Sequence, residues 1–290
     1  MNVSDNEIKR FQDEVWKYYD AHGRDGLPWR QPDDAGMFDP YKIMVSELML
    51  QQTQVSRVIP KYLAFLEQFP DVATLAAAPL GEVLTAWQGL GYNRRAKFLW
   101  QAAQMVDAEM GGVFPAEQKA LTALPGVGMN TAGAIMAYAY DKPVTFVETN
   151  VRTVFIHHFY DGAEALTVSD KEVLELVQRS LPGAATGGQT TGGAREWYWA
   201  LMDYGTHIKQ QYGNKSRASK TYAKQSPFEG SRRKVRGAVI RLLSQRPSTY
   251  GQLAEHEPDA RLESVLSDLV REGMVVSESG QDSATVYRLG

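Results

Sequence analysis

One stretch of the chain, Leu124–Asn150, combines two features that could take part in chemistry. The first is the tight turn Gly126-Val127-Gly128, which opens a helix. The backbone N–H groups and the positive end of such a helix point at an anion, such as a phosphate. The second is Glu148, a carboxylate placed where the chain restarts after Pro143. The stretch therefore predicts an anion-binding turn followed, later in the sequence, by a carboxylate.

Helices are predicted to position these groups. Ile8, Phe11 and Val15 recur at the period of an amphipathic helix, and the same pattern returns through the first 225 residues. Prolines and glycines mark the boundaries. The predicted helices cover about residues 4–23, 40–54, 56–68, 71–77, 80–87, 93–110, 116–122, 129–140, 149–158, 169–181 and 197–205. Strand patterns are nearly absent, so we expect an all-α body that buries Trp197-Tyr198-Trp199.

Composition limits the possible classes of protein. The chain has 290 residues, of which 43% are apolar and 22% charged, as in globular proteins with two or three modules. No run approaches the eighteen apolar residues of a membrane span, and the N-terminus has no signal-peptide pattern, so we expect a cytoplasmic location. Cysteine is absent, which excludes disulfides and thiolate-held metal or iron–sulfur sites.

Positive charge is concentrated between Gly205 and Arg246, although the whole chain carries a net charge of −3. This segment has one acid, Glu229, and eleven basic residues: Lys209, Lys215, Arg217, Lys220, Lys224, Arg232, Arg233, Lys234, Arg236, Arg241 and Arg246. Such a block is typical of phosphate binding. A solvated linker flanked by basic helix faces explains it equally well.

The pattern changes from about Pro227. A basic amphipathic helix, a short helix capped at Ser248 or Thr249 and a third helix ending at Gly273 precede two strands. The strands are predicted over 274–278 and 284–289. Three helices followed by a hairpin are typical of a winged-helix-like α+β domain, here over 226–290. A purely structural or protein-contacting domain remains the alternative.

Five motifs occur in an order that resembles a known family. They are Leu27-Pro28-Trp29-Arg30, the run Ser46 to Val55 with sequence SELMLQQTQV, Gly89-Leu90-Gly91-Tyr92, Leu124-Pro125-Gly126-Val127-Gly128 and Met202-Asp203-Tyr204-Gly205. Together they resemble the helix-hairpin-helix (HhH-GPD) DNA glycosylases, most closely the adenine-specific mismatch (MutY-type) branch. The resemblance covers about residues 5–225 and implies a mainly α, two-subdomain glycosylase domain over 1–225.

The resemblance implies roles for individual residues. The hairpin amides grip a phosphate, often with a monovalent cation on the hairpin carbonyls, and the target nucleotide is flipped into a pocket. The DNA-contacting positions are Gln51, Gln52 and Tyr92 beside the vacated stack, the hairpin residues Leu124, Gly126, Val127 and Gly128, and the basic Lys209, Lys215 and Arg217. The positions at the base pocket are Asn150, Asn130 and Arg30.

Two carboxylates match the family's chemistry. Glu47 matches the group that protonates the leaving purine and then handles water, and burial would raise its pKa into a useful range. Glu148 stands where the family has Asp, which stabilises the positive charge that develops at C1′ of the sugar. Its extra methylene means that either the pocket is rebuilt or the substrate differs. A helix-surface carboxylate at Glu47 and a structural helix cap at Glu148 are the alternatives.

The chain departs from the family in three places. Asn130 stands where glycosylases with lyase activity carry a Schiff-base lysine, which predicts a single-step hydrolase. The four cysteines of the family's iron–sulfur loop would fall on Lys209, Ser216, Ser219 and Gln225, so 209–225 is a remnant without a cluster. The winged-helix-like pattern replaces the larger domain that reads 8-oxoguanine in bacterial relatives, which puts that recognition in doubt.

The combined expectation is a monomeric, monofunctional DNA glycosylase of base excision repair, acting on duplex DNA beside the nucleoid, without a membrane, metal or bound cofactor. The first substrate expected is adenine opposite 8-oxoguanine or guanine. A glycosylase for uracil, thymine opposite guanine or an alkylated base is one alternative. A non-catalytic protein that binds damaged DNA is another.

Overall fold

A computed structural model describes residues 3–160, 162, 167–182, 192–279 and 284–290. Within these ranges the chain is mainly helical, which confirms the predicted fold class. The helices before residue 225 are α1 (Asp5–His22), α2 (Pro40–Leu50), α3 (Val55–Gln68), α4 (Val72–Ala77), α5 (Leu80–Ala86), α6 (Arg94–Met110), α7 (Gln118–Leu121), α8 (Met129–Tyr138), α9 (Thr149–Phe159), α10 (Asp170–Ser180) and α11 (Ala194–Tyr212). Short 3₁₀ helices lie at Pro28–Arg30 and Lys215–Ala218.

The chain forms two compact units, and neither is continuous in sequence. The first comprises Met1–Ile43, Pro115–Ala123 and Val127–Lys224, and the second comprises Met44–Phe114, Leu124–Gly126 and Gln225–Gly290. The second unit therefore joins helices from the middle of the chain with its last 66 residues.

The core of the first unit is built on α9 and α11, which pack side by side. Phe155 of α9 and Trp197 and Tyr198 of α11 are fully buried, and Trp199 is 9% exposed. The prediction that this aromatic run belongs to the core is confirmed. Burying such large apolar rings away from water is the main favourable contribution to folding.

Local signals in the sequence set the ends of the helices. Ser4 accepts a hydrogen bond from the Glu7 backbone N–H while the Glu7 carboxylate accepts one from that of Ser4, which is a capping box at the start of α1. Ser169 and Glu172 form the predicted capping box of α10 in the same way. Each box satisfies backbone donors that the first helical turn leaves without partners.

The C-terminal module, residues 226–290, contains the predicted three helices and one strand more than predicted. Its elements are α12 (Arg232–Leu243), β1 (Ser248–Thr249), α13 (Tyr250–His256), α14 (Leu262–Arg271), β2 (Val275–Ser279) and β3 (Thr285–Leu289). The strands form an antiparallel sheet in the order β1-β3-β2, with Val275 opposite Leu289 and Ser248 opposite Tyr287. Strand β1 has two residues, too few for a period-2 pattern to reveal it.

Within the second unit, the C-terminal module packs against the helices of residues 44–114. The Gly81 N–H donates to the Gly290 carbonyl at 2.6 Å, and Gln88 Nε2 donates to Ser244 Oγ at 2.6 Å. Through the described ranges, none of the helices has the length and apolar character needed to span a bilayer.

Candidate active site and nucleic-acid interface

Glu148 lies at the N-cap position of α9, in extended backbone conformation and half-buried. Its side chain makes no capping hydrogen bond to the first turn of the helix. The structural-cap alternative is therefore wrong for this carboxylate. A negative charge at this end of a helix interacts favourably with the positive end of the helix dipole.

The segment that leads into Glu148 is fixed by buried side chains of the first unit. Tyr198 Oη donates to the Val144 carbonyl at 2.8 Å and accepts from the Phe146 N–H at 3.2 Å. The aromatic rings of Tyr198 and Phe146 also stack, with their centroids 4.0 Å apart. Asn130 Oδ1 accepts from the Val147 N–H at 3.3 Å. Glu148 thus follows a backbone segment, residues 144–147, that is held by hydrogen bonds at three of its four residues.

Asn150 lies two residues further, in the first turn of α9, and bridges to α11. Its Nδ2 donates to the Met202 carbonyl at 3.3 Å and lies 3.4 Å from Thr206 Oγ1. Its Oδ1 accepts from Lys209 Nζ at 2.5 Å. The orientation of the amide is therefore fixed, because its NH₂ group donates to a carbonyl and its oxygen accepts from an ammonium group, and the two could not exchange these partners.

Gly205 permits the close approach of α11 to Asn150. A Cβ atom at this position would lie 2.6 Å from the Asn150 carbonyl oxygen and 2.8 Å from Asn150 Cβ. Both distances are far below ordinary contact, so the motif Met202-Asp203-Tyr204-Gly205 needs glycine at its last position.

Lys209 supplies positive charge beside the two site residues of α9. Burial lowers the pKa of Lys209, and the nearby Glu148 carboxylate opposes that shift. The sequence placed Lys209 on DNA through the loop remnant, whereas its ammonium group is directed to Asn150. Its predicted contact with phosphate stays a prediction.

Arg30 is buried, with 6% of its surface exposed, and both terminal nitrogens bind Asp203 at 2.9 and 2.8 Å. Arg24 adds a hydrogen bond to Asp203 at 2.8 Å. Burial alone would raise the pKa of Asp203, but these two guanidinium groups outweigh it and hold the pKa below its usual range. The ion pairs tie the N-terminal segment to α11, and the predicted role of Arg30 at the base pocket stays a prediction.

The hairpin between α7 and α8 begins with Leu124, which is 2% exposed, and turns at Gly126. Gly126 has φ +78°, and a Cβ atom there would lie 2.7 Å from Phe98 Cβ. Both the left-handed conformation and the contact require glycine. The sequence predicts an anion-binding turn here, and the contact with Phe98 is a second reason for glycine that the sequence does not reveal.

The first unit contains the other half of the hairpin. Val127 is buried, whereas Gly128, the N-cap of α8, is exposed together with Met129 and Asn130. No side chain caps this helix. An exposed helix start without a side-chain cap presents backbone N–H groups to solvent, as an anion site requires.

Glu47 lies near the end of α2 and is half-buried, between Ser46 and Leu48, each 1% exposed. Its backbone carbonyl accepts from the Gln51 N–H at 3.3 Å, so the helix continues to the glutamines.

Gln52 and Tyr92 both adopt left-handed backbone conformations, with φ +55° and +49°. These conformations are strained for residues other than glycine, and such strain is concentrated at functional sites. Gln51 and Gln52 are exposed, and Tyr92 is half-buried. All three residues that the resemblance assigns to the distorted duplex therefore lie at the surface of one unit.

Arg95 holds the two loops that carry these residues. Its guanidinium donates to the carbonyls of Leu48 at 2.6 Å, Gln51 at 2.5 Å and Leu90 at 3.0 Å. Burial lowers the pKa of Arg95 to about 10, so it is charged at neutral pH. Arg95 is not among the residues predicted from the sequence, although its register with Leu99 on the buried face of α6 indicates burial.

The C-terminal module also contacts Tyr92. Arg233 and Gln225 donate to Tyr92 Oη, and Gln225 Nε2 donates to Gln52 Oε1 at 3.2 Å. Arg233 Cζ lies 4.8 Å from the centroid of the Tyr92 ring and Arg95 Cζ lies 5.3 Å from it. Two cations thus contact one aromatic ring, an arrangement that sequence spacing could not reveal.

The remnant of the iron–sulfur loop does not fit a cluster. Ser216 Oγ bonds Asn214 at 2.5 Å and Ser219 Oγ bonds Asp170 at 3.2 Å, so these positions are occupied by hydrogen bonds within the first unit. The chain has no thiolate to bind iron. Lys215 is half-buried and Arg217 exposed, and their contact with phosphate stays a prediction. Among the described residues, no group of three or more His, Asp or Glu side chains could hold a metal.

Comparison with known proteins agrees with this geometry. Residues 45–181 match the model of the HhH-GPD superfamily base excision DNA repair protein. The chain is 40% identical over 195 residues to the adenine DNA glycosylase of Mycolicibacterium smegmatis, which is 67% of this chain and 62% of that one. It is 33% identical over 171 residues to that of Buchnera aphidicola subsp. Baizongia pistaciae, 59% of this chain and 46% of that one. The chain thus spans about half the length of these curated relatives.

Solved structures give the same fold. A thermostable thymine-DNA glycosylase superposes with a TM-score of 0.59 at 25% identity, covering 74% of this chain and 93% of that chain. An endonuclease III–DNA complex superposes with a TM-score of 0.55 at 19% identity, covering 78% of this chain and 91% of that chain. This chain therefore has the HhH-GPD glycosylase fold, and its residues 45–181 are the part that matches the HhH-GPD superfamily of base excision DNA repair proteins.

Proposed function

We propose that this protein is a monofunctional DNA glycosylase that removes adenine mispaired with 8-oxoguanine or guanine. The observation that carries the proposal is the arrangement of Glu148 beside Asn150 and Lys209 at the start of α9. A carboxylate that follows a segment held by buried hydrogen bonds is suited to stabilise a developing sugar cation. The identity with adenine DNA glycosylases supports adenine as the base.

In this proposal the two carboxylates have separate roles. Glu47 donates its proton to a ring nitrogen of the flipped adenine, and the C1′–N bond breaks with its electron pair moving to the base. Glu148 stabilises the positive charge left on the sugar. Water then adds to C1′ and returns a proton to Glu47. With Asn130 in place of a Schiff-base lysine, no covalent imine forms with the sugar.

Single-turnover base release from defined duplexes tests this function. The panel contains adenine opposite 8-oxoguanine, guanine and cytosine, uracil and thymine opposite guanine, and an alkylated base. We expect wild type to release adenine from the first two duplexes. Glu148→Gln should lower that rate by about 10²–10³, the cost of removing one electrostatic stabiliser of a transition state. Glu47→Gln should lower it by about 10²–10⁴, the usual contribution of a general acid.

Glu175→Gln on α10 is the matched control, because Glu175 is an exposed carboxylate of the same unit. It should release adenine at the wild-type rate. Absence of base release from every duplex, together with retained duplex binding, would favour a non-catalytic damage-binding protein and overturn the proposal. Trapping of the enzyme on DNA by borohydride would contradict the single-step mechanism.

A second candidate is removal of thymine opposite guanine. The structure of a thermostable thymine-DNA glycosylase matches over 93% of its length, and Glu148 differs in length from the Asp of the adenine branch. Release of thymine with adenine left intact would select this candidate over the first.

A further inference from the structure

A continuous groove runs through the second unit, between α12 of the C-terminal module and the loops 51–57 and 88–95. It consists of two adjoining cavities of about 390 Å³ and 740 Å³. Gln52, Tyr92 and Arg233 line both cavities. We call it the strand groove.

The strand groove is strongly basic, although the whole chain is acidic with a net charge of −3. Its carboxylates among the described lining residues are Asp268 and Glu257. Its cationic side chains are Arg57, Arg94, Arg95, Arg232, Arg233, Lys234, Arg236 and Arg241. A basic groove on an acidic protein concentrates a polyanion at that place and repels it elsewhere.

Several of these cations are fixed in position before any ligand arrives. Arg236 binds Glu272 through both terminal nitrogens at 3.1 and 2.6 Å, and Arg94 binds the same carboxylate at 2.5 Å. Arg232 binds Asp268 at 2.5 Å. Because each carboxylate serves two or more arginines, the groove keeps excess positive charge.

Other cations project into solvent along the groove. Arg57, in the first turn of α3, and Arg241, near the end of α12, are both exposed. The start of α3 adds the positive end of a helix dipole, and its N-cap Gln54 makes no side-chain capping bond. Exposed arginines can reach phosphate oxygens without breaking a structural contact.

The third helix of the module, α14, is unsuited to the role that its position has in helix-turn-helix proteins. In those proteins the corresponding helix enters the major groove of DNA. Here Asp268 and the adjacent Glu272 are committed to arginines, and Glu263 is exposed on α14. An exposed carboxylate in the first turn of this helix, Glu263, disfavours contact of that end with phosphate.

We propose that the strand groove binds the phosphodiester backbone of duplex DNA, and that the C-terminal module contacts DNA through α12 instead of α14. This assignment rests on the proposed function, which makes DNA the substrate. It gives the basic residues of α12, from Arg232 to Arg241, a binding role beyond the active site. Tyr92, with its ring against Arg233, lies where the bound strand would pass the glutamine loop.

Salt dependence of DNA binding by the full-length protein tests the proposal. The probe is a duplex of about 30 base pairs without a lesion, titrated at several salt concentrations. Each phosphate contact contributes about 0.9 to the slope of log K against log salt. The double variant Arg57→Gln/Arg241→Gln should therefore lower the slope by about 1.8.

Arg246→Gln is the matched control. Arg246 is exposed, close to Arg241 in sequence, and lines a separate small cavity with His256. Its slope should equal that of wild type. A third variant, Glu263→Gln on α14, should also leave the slope unchanged if this helix stays off the DNA.

The outcomes separate the two proposals. If the double variant keeps the wild-type slope while base release is normal, the strand groove does not bind DNA. In that case this inference is overturned and the proposed glycosylase function stands. If wild type does not bind duplex DNA at any salt concentration, the proposed function fails as well. A steeper slope in Glu263→Gln, as expected when a carboxylate beside phosphate is neutralised, would show that α14 contacts DNA and would overturn the assignment to α12.

Discussion

The carboxylate site, formed by Glu148, Asn150 and Lys209, and the strand groove are built in opposite ways. At the carboxylate site several neutral hydrogen bonds from separate residues, such as Tyr198 and Asn130, fix one short segment. In the strand groove a single buried cation, Arg95, holds two loops, and most of the remaining charge lies at the surface.

This difference matches the demands of the two regions. Stabilising a charge at one atom requires a group fixed to within a fraction of an ångström. Holding a flexible, regularly charged strand requires net charge and reach, which long exposed side chains supply. The carboxylate site should therefore be sensitive to small shifts, and the strand groove should be sensitive mainly to loss of charge or of its one buried arginine.

The largest effect is expected from Arg95→Met, which tests the dependence of the strand groove on one residue. The substitution leaves the carbonyls of Leu48, Gln51 and Leu90 without their charged donor. The free energy of unfolding of the second unit should fall by about 3–5 kcal/mol. Chemical denaturation measures the fall.

Hydrogen exchange on the Arg95→Met variant shows where the stability is lost. We expect faster exchange in residues 88–95 and unchanged exchange in residues 144–150. Arg246→Met, an exposed arginine of the same unit, should change the stability by less than about 0.5 kcal/mol. Equal acceleration of exchange in both segments would contradict the separate construction of the two regions.

A pair of glycines tests the sensitivity of the carboxylate site to small shifts. Gly205→Ala places a methyl group 2.6 Å from the Asn150 carbonyl oxygen, so α9 must move. We expect a loss of about 1–3 kcal/mol in stability and a loss of about a hundredfold in base release. Binding of an undamaged duplex should change by less than twofold.

Gly237 is the matched position, because it lies inside α12 and a Cβ atom there meets no atom within 4 Å. Gly237→Ala should raise the stability by about 0.4–1 kcal/mol. Base release at the wild-type rate from Gly205→Ala would show that the carboxylate site tolerates displacement.

The ion pairs of Glu272 give a test by pH. Burial alone would raise the pKa of Glu272, but hydrogen bonds and charges from Arg94 and Arg236 lower it to about 2. A carboxylate with a lowered folded-state pKa contributes stability above its unfolded pKa and loses it as pH falls toward the folded value. Stability should therefore decline between about pH 4.5 and pH 2, and Glu272→Gln should reduce this part of the decline. An unchanged pH profile in that variant would contradict the role of the carboxylate.

Local signals predicted most of the fold. Apolar periodicity and the Ser169-x-x-Glu172 box placed most helix ends within about four residues, because both depend on neighbouring residues alone. The exception is α11, which was predicted to end at 205 and continues to Tyr212. The strand β1 was missed, since its two residues pair with β3 nearly forty positions away. Pairing between distant segments does not change the spacing of apolar residues within a two-residue strand, so the sequence pattern cannot reveal it.

The candidate site was predicted unevenly for the same reason. Gly126 was identified because a glycine turn has a local signature, and the structure adds the contact with Phe98 that requires it. Arg95 was missed, and the partners of Asp203 and Arg233 were not predicted, because all these contacts join residues that are distant in sequence. The roles assigned to Glu47 and Glu148 came from the resemblance to a family and remain proposals.

The division of the second unit between Met44–Phe114 and Gln225–Gly290 bears on how the chain folds. The middle helices cannot complete their packing until the final segment has been synthesised, because the Gly81 N–H and Gln88 find their partners there. Contacts that span more than 150 residues carry a large loop-closure cost and slow the search for the native state. During synthesis this half of the protein is therefore expected to be the last to acquire protection from proteolysis.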